Sequence, residues 1–403
     1  MVGARANASK GWLNRGVAAI GGASLLDDVG QEVPTALLPA FLTSTLGAPA
    51  AALGLIEGVA EGVAGTARLA GGALADDPER RRATAVGGYA GAAVLNAAIA
   101  ATTAAWQVGV LRSGAWLMRG LRTPARNALL ADVSSPATYG RAYGFERAMD
   151  NFGAIIGPLL AVALVAAVGV RAAIAVSVVP GLLAAAAMGV AAASVTRLAE
   201  HTRRPLRLRV RPVLRGPLAR LLGGISAFEL GNAAATLLIL RATEVLTPGW
   251  GHDDAVQVSL FLYAAYNGAA TAVSVPAGRI ADRRGSVPAL GAGVSISLVA
   301  YAGFAFAGAN VAALLLLFVA AGVANGLAET GEHAGVASLA PPELRGSAFG
   351  VLGVVQSVGK LGASAVAGVL WTLVSPRAAF LYLAAWMLAS IVVLAAGAAR
   401  HDG

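Results

Sequence analysis

Twelve long apolar stretches, separated by short polar turns, run from residue 16 to residue 398. A hydrocarbon layer ~30 Å thick is crossed by about 20 helical residues. Backbone groups in lipid must find their hydrogen bonds within the protein, so a chain patterned this way folds as a bundle of membrane-spanning helices. The first six segments fall near 16–45, 48–75, 83–104, 106–131, 140–168 and 170–197. The other six fall near 217–247, 255–280, 287–307, 310–338, 344–373 and 376–398. Composition agrees: 57% of residues are hydrophobic, 13% are charged, and the mean hydropathy is +0.71, beyond what a soluble domain reaches. The absence of cysteine excludes disulfides, thiolate metal sites and cysteine nucleophiles. The opening MVGARANASKGWLNR is too long, basic and polar for a signal peptide and reads as a tail.

Charge orients the segments. Arg80, Arg81, Arg82, Arg141, Arg283 and Arg284 fall in alternate turns, whereas the opposite turns TSTLGAP, ATTAA and AGAN hold neither Lys nor Arg. Positive residues stay cytoplasmic, so both termini are expected there, together with the basic stretch RLAEHTRRPLRLRVRPVLRGPLAR. The net charge of +9 then reflects orientation and contact with anionic lipid, and nucleic acid is not an expected partner.

The chain also repeats itself. An offset of 206 relates Gly72 to Gly278, Asp76 to Asp282, Gly120-Leu121 to Gly326-Leu327, Pro136 to Pro342, Gly144 to Gly350, Gly153 to Gly359 and Arg171-Ala172 to Arg377-Ala378. One ungapped register over more than a hundred residues implies two six-helix halves in parallel duplication. The expected organisation is a first bundle at 1–198, a basic linker at 199–216 and a second bundle at 217–403.

With a charged turn after the second helix of each half, this pattern resembles the major facilitator superfamily. The turn matches that superfamily's G-x-L-x-D-R-x-G-R-R at Gly72, Leu74, Asp76, Arg80 and Arg81, with Asp77 and Glu79 departing from it. The partner turn keeps Gly278, Ile280, Asp282, Arg283 and Gly285. The resemblance implies a cytoplasmic gate at Gly72, Asp76, Arg80, Arg81, Gly278, Asp282 and Arg283, to which depth along the fourth helix adds Arg126. In the fifth helix Gly144, Gly153, Gly157 and Pro158 match the superfamily's antiporter motif, although Ala161 and Val162 replace its last two glycines. The fourth helix and its turn, LMRGLRTPARNALLADV, are similar to a bacterial branch of the same superfamily. The fold class implied is an all-α membrane protein of twelve transmembrane helices in two pseudo-symmetric six-helix bundles.

Ionisable groups inside spanning helices are costly unless paired or wetted, which makes each a functional candidate. The first half carries Asp27, Asp28, Glu32, Glu57, Glu61, Arg112, Arg119, Glu146, Arg147 and Asp150. At ~1.5 Å per residue, Asp28, Glu61 and Asp150 lie near mid-depth, within reach of Arg112 and Arg119. At the 206 offset Asp28, Glu61, Arg119, Glu146 and Asp150 become Ala234, Asn267, Asn325, Leu352 and Gln356, so the fold does not itself require these charges. The candidates for proton coupling are Asp28, Glu32, Glu61 and Asp150, with Arg112, Arg119, Glu57, Glu146, Arg147 and Glu229 as partners. Lys360 and Glu229 are further second-half candidates; Glu329 and Glu332 read as gate residues, and His333 as a hydrogen-bonding residue.

No HExxH, GxSxG, phosphate loop or cysteine motif is present, so no enzyme, cofactor or metal is expected. The expected function is export of a small organic solute by proton antiport through alternating access, in a monomer of the bacterial cytoplasmic membrane, with protons and lipid as its other partners. A desolvated carboxylate takes up a proton more readily, which suits it to coupling. Two alternatives stand beside this reading: proton-coupled import of an organic anion, and a transporter-like receptor without flux.

Overall fold

The computed structural model describes residues 11–195, 207 and 209–399, so most of the basic stretch before residue 207 lies outside the described residues. The first bundle consists of α1 (Arg15–Ala40), α2 (Ala50–Ala75), α3 (Pro78–Ala98), α4 (Ala105–Val133), α5 (Tyr139–Val176) and α6 (Val178–Ser194). A single turn, α7 (Val210–Val213), precedes the second bundle. That bundle comprises α8 (Gly216–Glu229), α9 (Thr236–Trp250), α10 (His252–Arg284), α11 (Ser286–Ala305), α12 (Val311–Leu339), α13 (Arg345–Leu373) and α14 (Pro376–Ala399).

Local chemistry sets the ends. Asn14 caps α1 by accepting from the Gly16 and Val17 amides. Asp77 caps α3, with Pro78 at the first helical position, where its missing N–H costs nothing. Gly285 ends α10 at φ 91°, a conformation that a side chain disfavours.

The twelve expected spans are present among the described residues, with two departures. Gly169 breaks α5 at φ 79°, so residues 170–176 and α6 together form the sixth span. The seventh span, expected as one helix over 217–247, is interrupted between α8 and α9 by a turn at 230–235. There the Gly231 and Asn232 amides donate to Phe228 and Glu229, and the Ala234 amide donates to Ser364 Oγ at 2.9 Å. The residues across this break are apolar enough to hide it from a hydropathy reading.

Seven stretches of helix are long and apolar enough to cross a membrane by composition alone. The helices outside that set include α1, which buries Asp27 and Asp28, and α4, which buries Arg112, Arg122 and Arg126.

The halves meet through α2 against α13 and α5 against α10. At one end of the molecule, which holds the 72–82 turn, backbones touch: a methyl group on Gly140 would overlap the Gly278 carbonyl, and one on Gly72 would sit 2.8 Å from the Gly346 carbonyl oxygen. Towards the opposite end the same helices part, and a methyl group on Gly54, Gly58, Gly62 or Gly268 would meet nothing within 4 Å. The halves are thus closed at the turn face and splayed away from it.

Candidate functional site

The splay leaves a cavity of about 540 Å³ between the halves, bordered by Asp27, Arg119, Asp150, Glu229, Glu329 and Lys360 among others. Its first-half wall carries Arg119, Arg122 and Arg126. With buried Arg112 they recur every three, four or seven residues along α4, so the four form a ladder on one face of it.

Each arginine meets a different acid. Buried Arg112 donates to Glu57 at 3.0 Å and to Thr35 Oγ1 at 3.0 Å. Arg119 donates to Gln31 Oε1 at 2.7 Å and lies 3.8 Å from Asp28. Arg122 pairs closely with Asp27, which also accepts from Gln31 at 2.6 Å, while its guanidinium stacks 3.7 Å above the Tyr89 ring. Arg126 lies 2.7 Å from Glu146 and 3.6 Å from Asp150.

Arg147 extends the ladder across the cavity. It holds Glu146 through two bonds at 2.7 and 2.8 Å, reaches Asp150 at 3.2 Å, and lies 3.9 Å from Glu329 of the second half. Glu146 is fully buried yet accepts from Arg147 and from Ser24 at 2.6 Å, in addition to its Arg126 pair. A buried carboxylate persists only with such pairing.

Beneath the cavity the rings of Tyr143, His333 and Phe349 pack together at 5.8–6.2 Å between centroids and close the interface towards the turn face. His333 Nδ1 bonds to the Glu329 carbonyl at 2.7 Å. Below the rings lies a symmetric pair of contacts. Asp76 accepts from the Ser347 amide at 2.9 Å and from Ser347 Oγ at 2.5 Å, at the start of α13. Asp282 accepts from the Gly140 amide at 2.6 Å and from Arg141 Nε at 2.6 Å, at the start of α5. Each aspartate of one half thus caps a helix of the other, where free amides and the helix dipole favour negative charge. Burial pushes the Asp76 carboxyl above its ordinary range, and the Ser347 bonds oppose that shift.

The Major Facilitator Superfamily pattern matches residues 20–265 and 245–401. The chain belongs to this superfamily. Across 92% of both chains it is 28% identical to an uncharacterized MFS-type transporter of Methanocaldococcus jannaschii. Its fold is similar to that of the human organic anion transporter MFSD10, with a TM-score of 0.73, 17% identity, and coverage of 94% of this chain and 99% of that one. It is also similar to the Escherichia coli fucose:proton symporter FucP, with a TM-score of 0.69, 16% identity, and coverage of 94% and 98%. At such identities the likeness shows the fold alone; the superfamily to which the chain belongs is one of multi-pass membrane transporters.

Within that fold, several residues singled out in the sequence converge. Glu146, Arg147 and Asp150 lie in one network with Arg126, Asp28 and Arg119 form a pair of their own, and Glu229 stands on the far wall. Glu61 lies apart with Arg68 at 3.8 Å. Glu32 packs against Gly157 of the fifth-helix motif with no cation within 4.0 Å among the described residues. Gly144 and Gly153 of that motif admit the Ser274 backbone and α1, respectively.

Arg126, which depth had assigned to the gate, bonds instead to groups on α1, α4 and α5, because its side chain points across the bundle. Glu329 and Glu332 sit above the aromatic layer or beside it rather than at the turn. Arg81 belongs to the turn face, paired with Asp132 and bonded to the Ala75 carbonyl at 2.6 Å, whereas Arg283 is exposed and Arg80 is half-buried. The sequence reading missed Asp132, Tyr139 and Arg345, which join the halves: Arg345 donates to Tyr139 at 2.6 Å and lies 3.5 Å from Asp132. It also missed Arg141 and Ser347 as aspartate partners, although they occupy the same position at the 206 offset.

Proposed function

We propose that this chain is a secondary active transporter that exports a small organic solute in exchange for protons, by alternating access around the cavity. The turn face is cytoplasmic in this reading, as are both termini, and the arginine-bearing turns lie against the inner surface of a bacterial cytoplasmic membrane. The arrangement described is then open to the outside and sealed within. One observation carries the proposal: the acid–arginine ladder of the first half borders the cavity and reaches Glu329 of the second half through Arg147. Closing the outer end while opening the turn face must break or remake that contact, so a change in the charge of any rung biases the two states. Protonation of Asp28 or Asp150 is such a change, and Glu32 and Glu61 are the proton-coupling candidates that stand beside the ladder. The glycine–proline motif of α5 supports exchange by resemblance.

Lys360 favours a second reading. It is exposed in the cavity with no carboxylate within 4.0 Å among the described residues, and a cation so placed suits proton-coupled import of an organic anion.

The test begins with a thermal-shift screen of purified protein against drugs, siderophores, amino acids and organic acids. Hits are then assayed in proteoliposomes under pH gradients of both signs. Export predicts solute movement opposite to the proton gradient. Movement along that gradient selects import, and binding without flux under either gradient selects a receptor.

A further inference from the structure

Arginine serves every mid-membrane carboxyl of the first half except Glu32, each lying within 4.0 Å of one. The second half differs. Glu229 and Glu332 have no cation within that distance among the described residues, and both are almost completely buried. Glu229 accepts from Asn232 at 3.1 Å. Glu332 is 0% exposed; its Oε2 accepts from Gln356 Nε2 at 2.8 Å, and its Oε1 has no partner.

The duplication shows what this position holds when it is charged. At the 206 offset Glu332 corresponds to Arg126, and Gln356 corresponds to Asp150. In the first half these positions form an ion pair at 3.6 Å, and in the second the same two positions form a carboxyl–amide pair at 2.8 Å. One helix crossing therefore holds two opposite charges in one copy and an acid with a neutral amide in the other. An ionised Glu332 would be a buried charge with one hydrogen bond and an orphaned oxygen, whereas a protonated Glu332 leaves only a hydroxyl without an acceptor. The second is much the cheaper arrangement.

Its surroundings do not alter that balance. Glu329 of α12 and Glu229 of α8 are negative neighbours, Lys360 of α13 is a cation that acts on it from a distance, and Arg147 of α5 is engaged by Glu146, Asp150 and Glu329. Arg68 of α2 acts on the neighbouring Glu229, while Tyr266 of α10 lies in the field of Glu229 and Glu329 and Tyr301 of α11 in that of Glu229. Arg126 of α4 acts on His333 and is held by Glu146.

We propose that Glu332 is a proton-binding site whose proton exchanges through the cavity, so that the second half carries its own proton alongside the acid–arginine ladder of the first. Gln356, Glu329 and His333, which flank Glu332, all border the cavity and give water a short approach. Loading forms one O–H bond at Oε1 as one O–H bond of a hydronium in the cavity breaks to leave neutral water, and unloading reverses both changes. The proposal rests on the antiport reading for the direction of this proton, since the outward-open arrangement would be the loaded one.

Infrared spectroscopy of the purified full-length protein tests it at neutral pH. The unmodified protein should show a protonated-carboxyl C=O stretch that shifts as soon as deuterated buffer is exchanged in, and Glu332→Gln should lack it. Gln356→Lys offers Glu332 a counter-ion and should remove the same band with Glu332 in place, which keeps the test open if the first variant folds poorly. A band unchanged by Glu332→Gln, or retained in Gln356→Lys, overturns the assignment. A band that ignores deuterium marks a fixed structural proton and overturns the exchange. If the band behaves as expected while no solute moves under a pH gradient, the proton site stands and the antiport reading falls.

Discussion

Asp27 and Asp28 are neighbours in the sequence, yet they hold different things. Among the described residues Asp27 is the only carboxylate paired with Arg122, whose Nε and Nη1 have no acceptor there and whose burial is nearly complete. Asp27→Asn therefore strands a cation in low dielectric and is expected to cost about 3–5 kcal/mol, read as a collapse in folded yield and thermal midpoint in detergent. Asp28 lies 3.8 Å from an Arg119 that keeps its 2.7 Å bond to Gln31 and remains partly open to the cavity. Asp28→Asn should cost roughly 1 kcal/mol or less. In the antiport reading it should retain solute binding and lose pH-driven flux. Equal destabilisation by both substitutions would make Asp28 a structural partner and remove it from coupling. Both aspartates were legible as candidates; which arginine each meets was not, because that depends on how α4 is rotated against α1.

Among the elements, α10 offers an internal control. Its Gly278 touches the Gly140 backbone of the other half, while Gly268, ten residues earlier, faces open space. Gly278→Ala introduces an overlap that must be relieved by about 1–3 kcal/mol of separation at the turn face. That shifts the ratio of closed to open molecules by roughly 5- to 150-fold. Spin labels at Arg80→Cys and Arg283→Cys should report a longer distance in Gly278→Ala and an unchanged one in Gly268→Ala. An unchanged distance in both variants would mean that the glycine contact does not hold the halves together. The repeat register identified Gly278 from the sequence. The break between α8 and α9 stayed hidden, because Gly231 and Asn232 are bordered by alanines and leucines that carry the apolar run straight through.

At the scale of the molecule, the two capping aspartates tie each half to the other at one face only. Asp76→Asn keeps the size of the side chain but gives up charge-assisted bonds to Ser347 and the favourable field of the α13 terminus. It should insert normally and transport more slowly, and Asp76→Asn with Asp282→Asn should be slower than either alone. Full activity in a normally expressed double variant would reduce the turns to topology signals. Orientation has its own test, since the chain has no cysteine of its own. In sealed cells, Asn310→Cys should react with an impermeant thiol reagent and Asp77→Cys should not; the reverse would invert the proposed topology.

The sequence alone determined the twelve spans, their doubling in one register and the identity of the two turn aspartates. Hydropathy period and repeat offset record the face and depth of each residue along its own helix, and those properties are local. Only the tertiary structure decided that Arg126 faces Glu146, that Arg147 reaches Glu329, that Arg345 joins Asp132, and that Glu332 meets an amide where its counterpart meets an acid. These partners lie on separate helices 20 to more than 200 residues apart, and their meeting depends on the rotation and sliding of each helix against its neighbour. Contacts between small residues, such as Gly140 against Gly278, fix that rotation, and no period within a single helix encodes it.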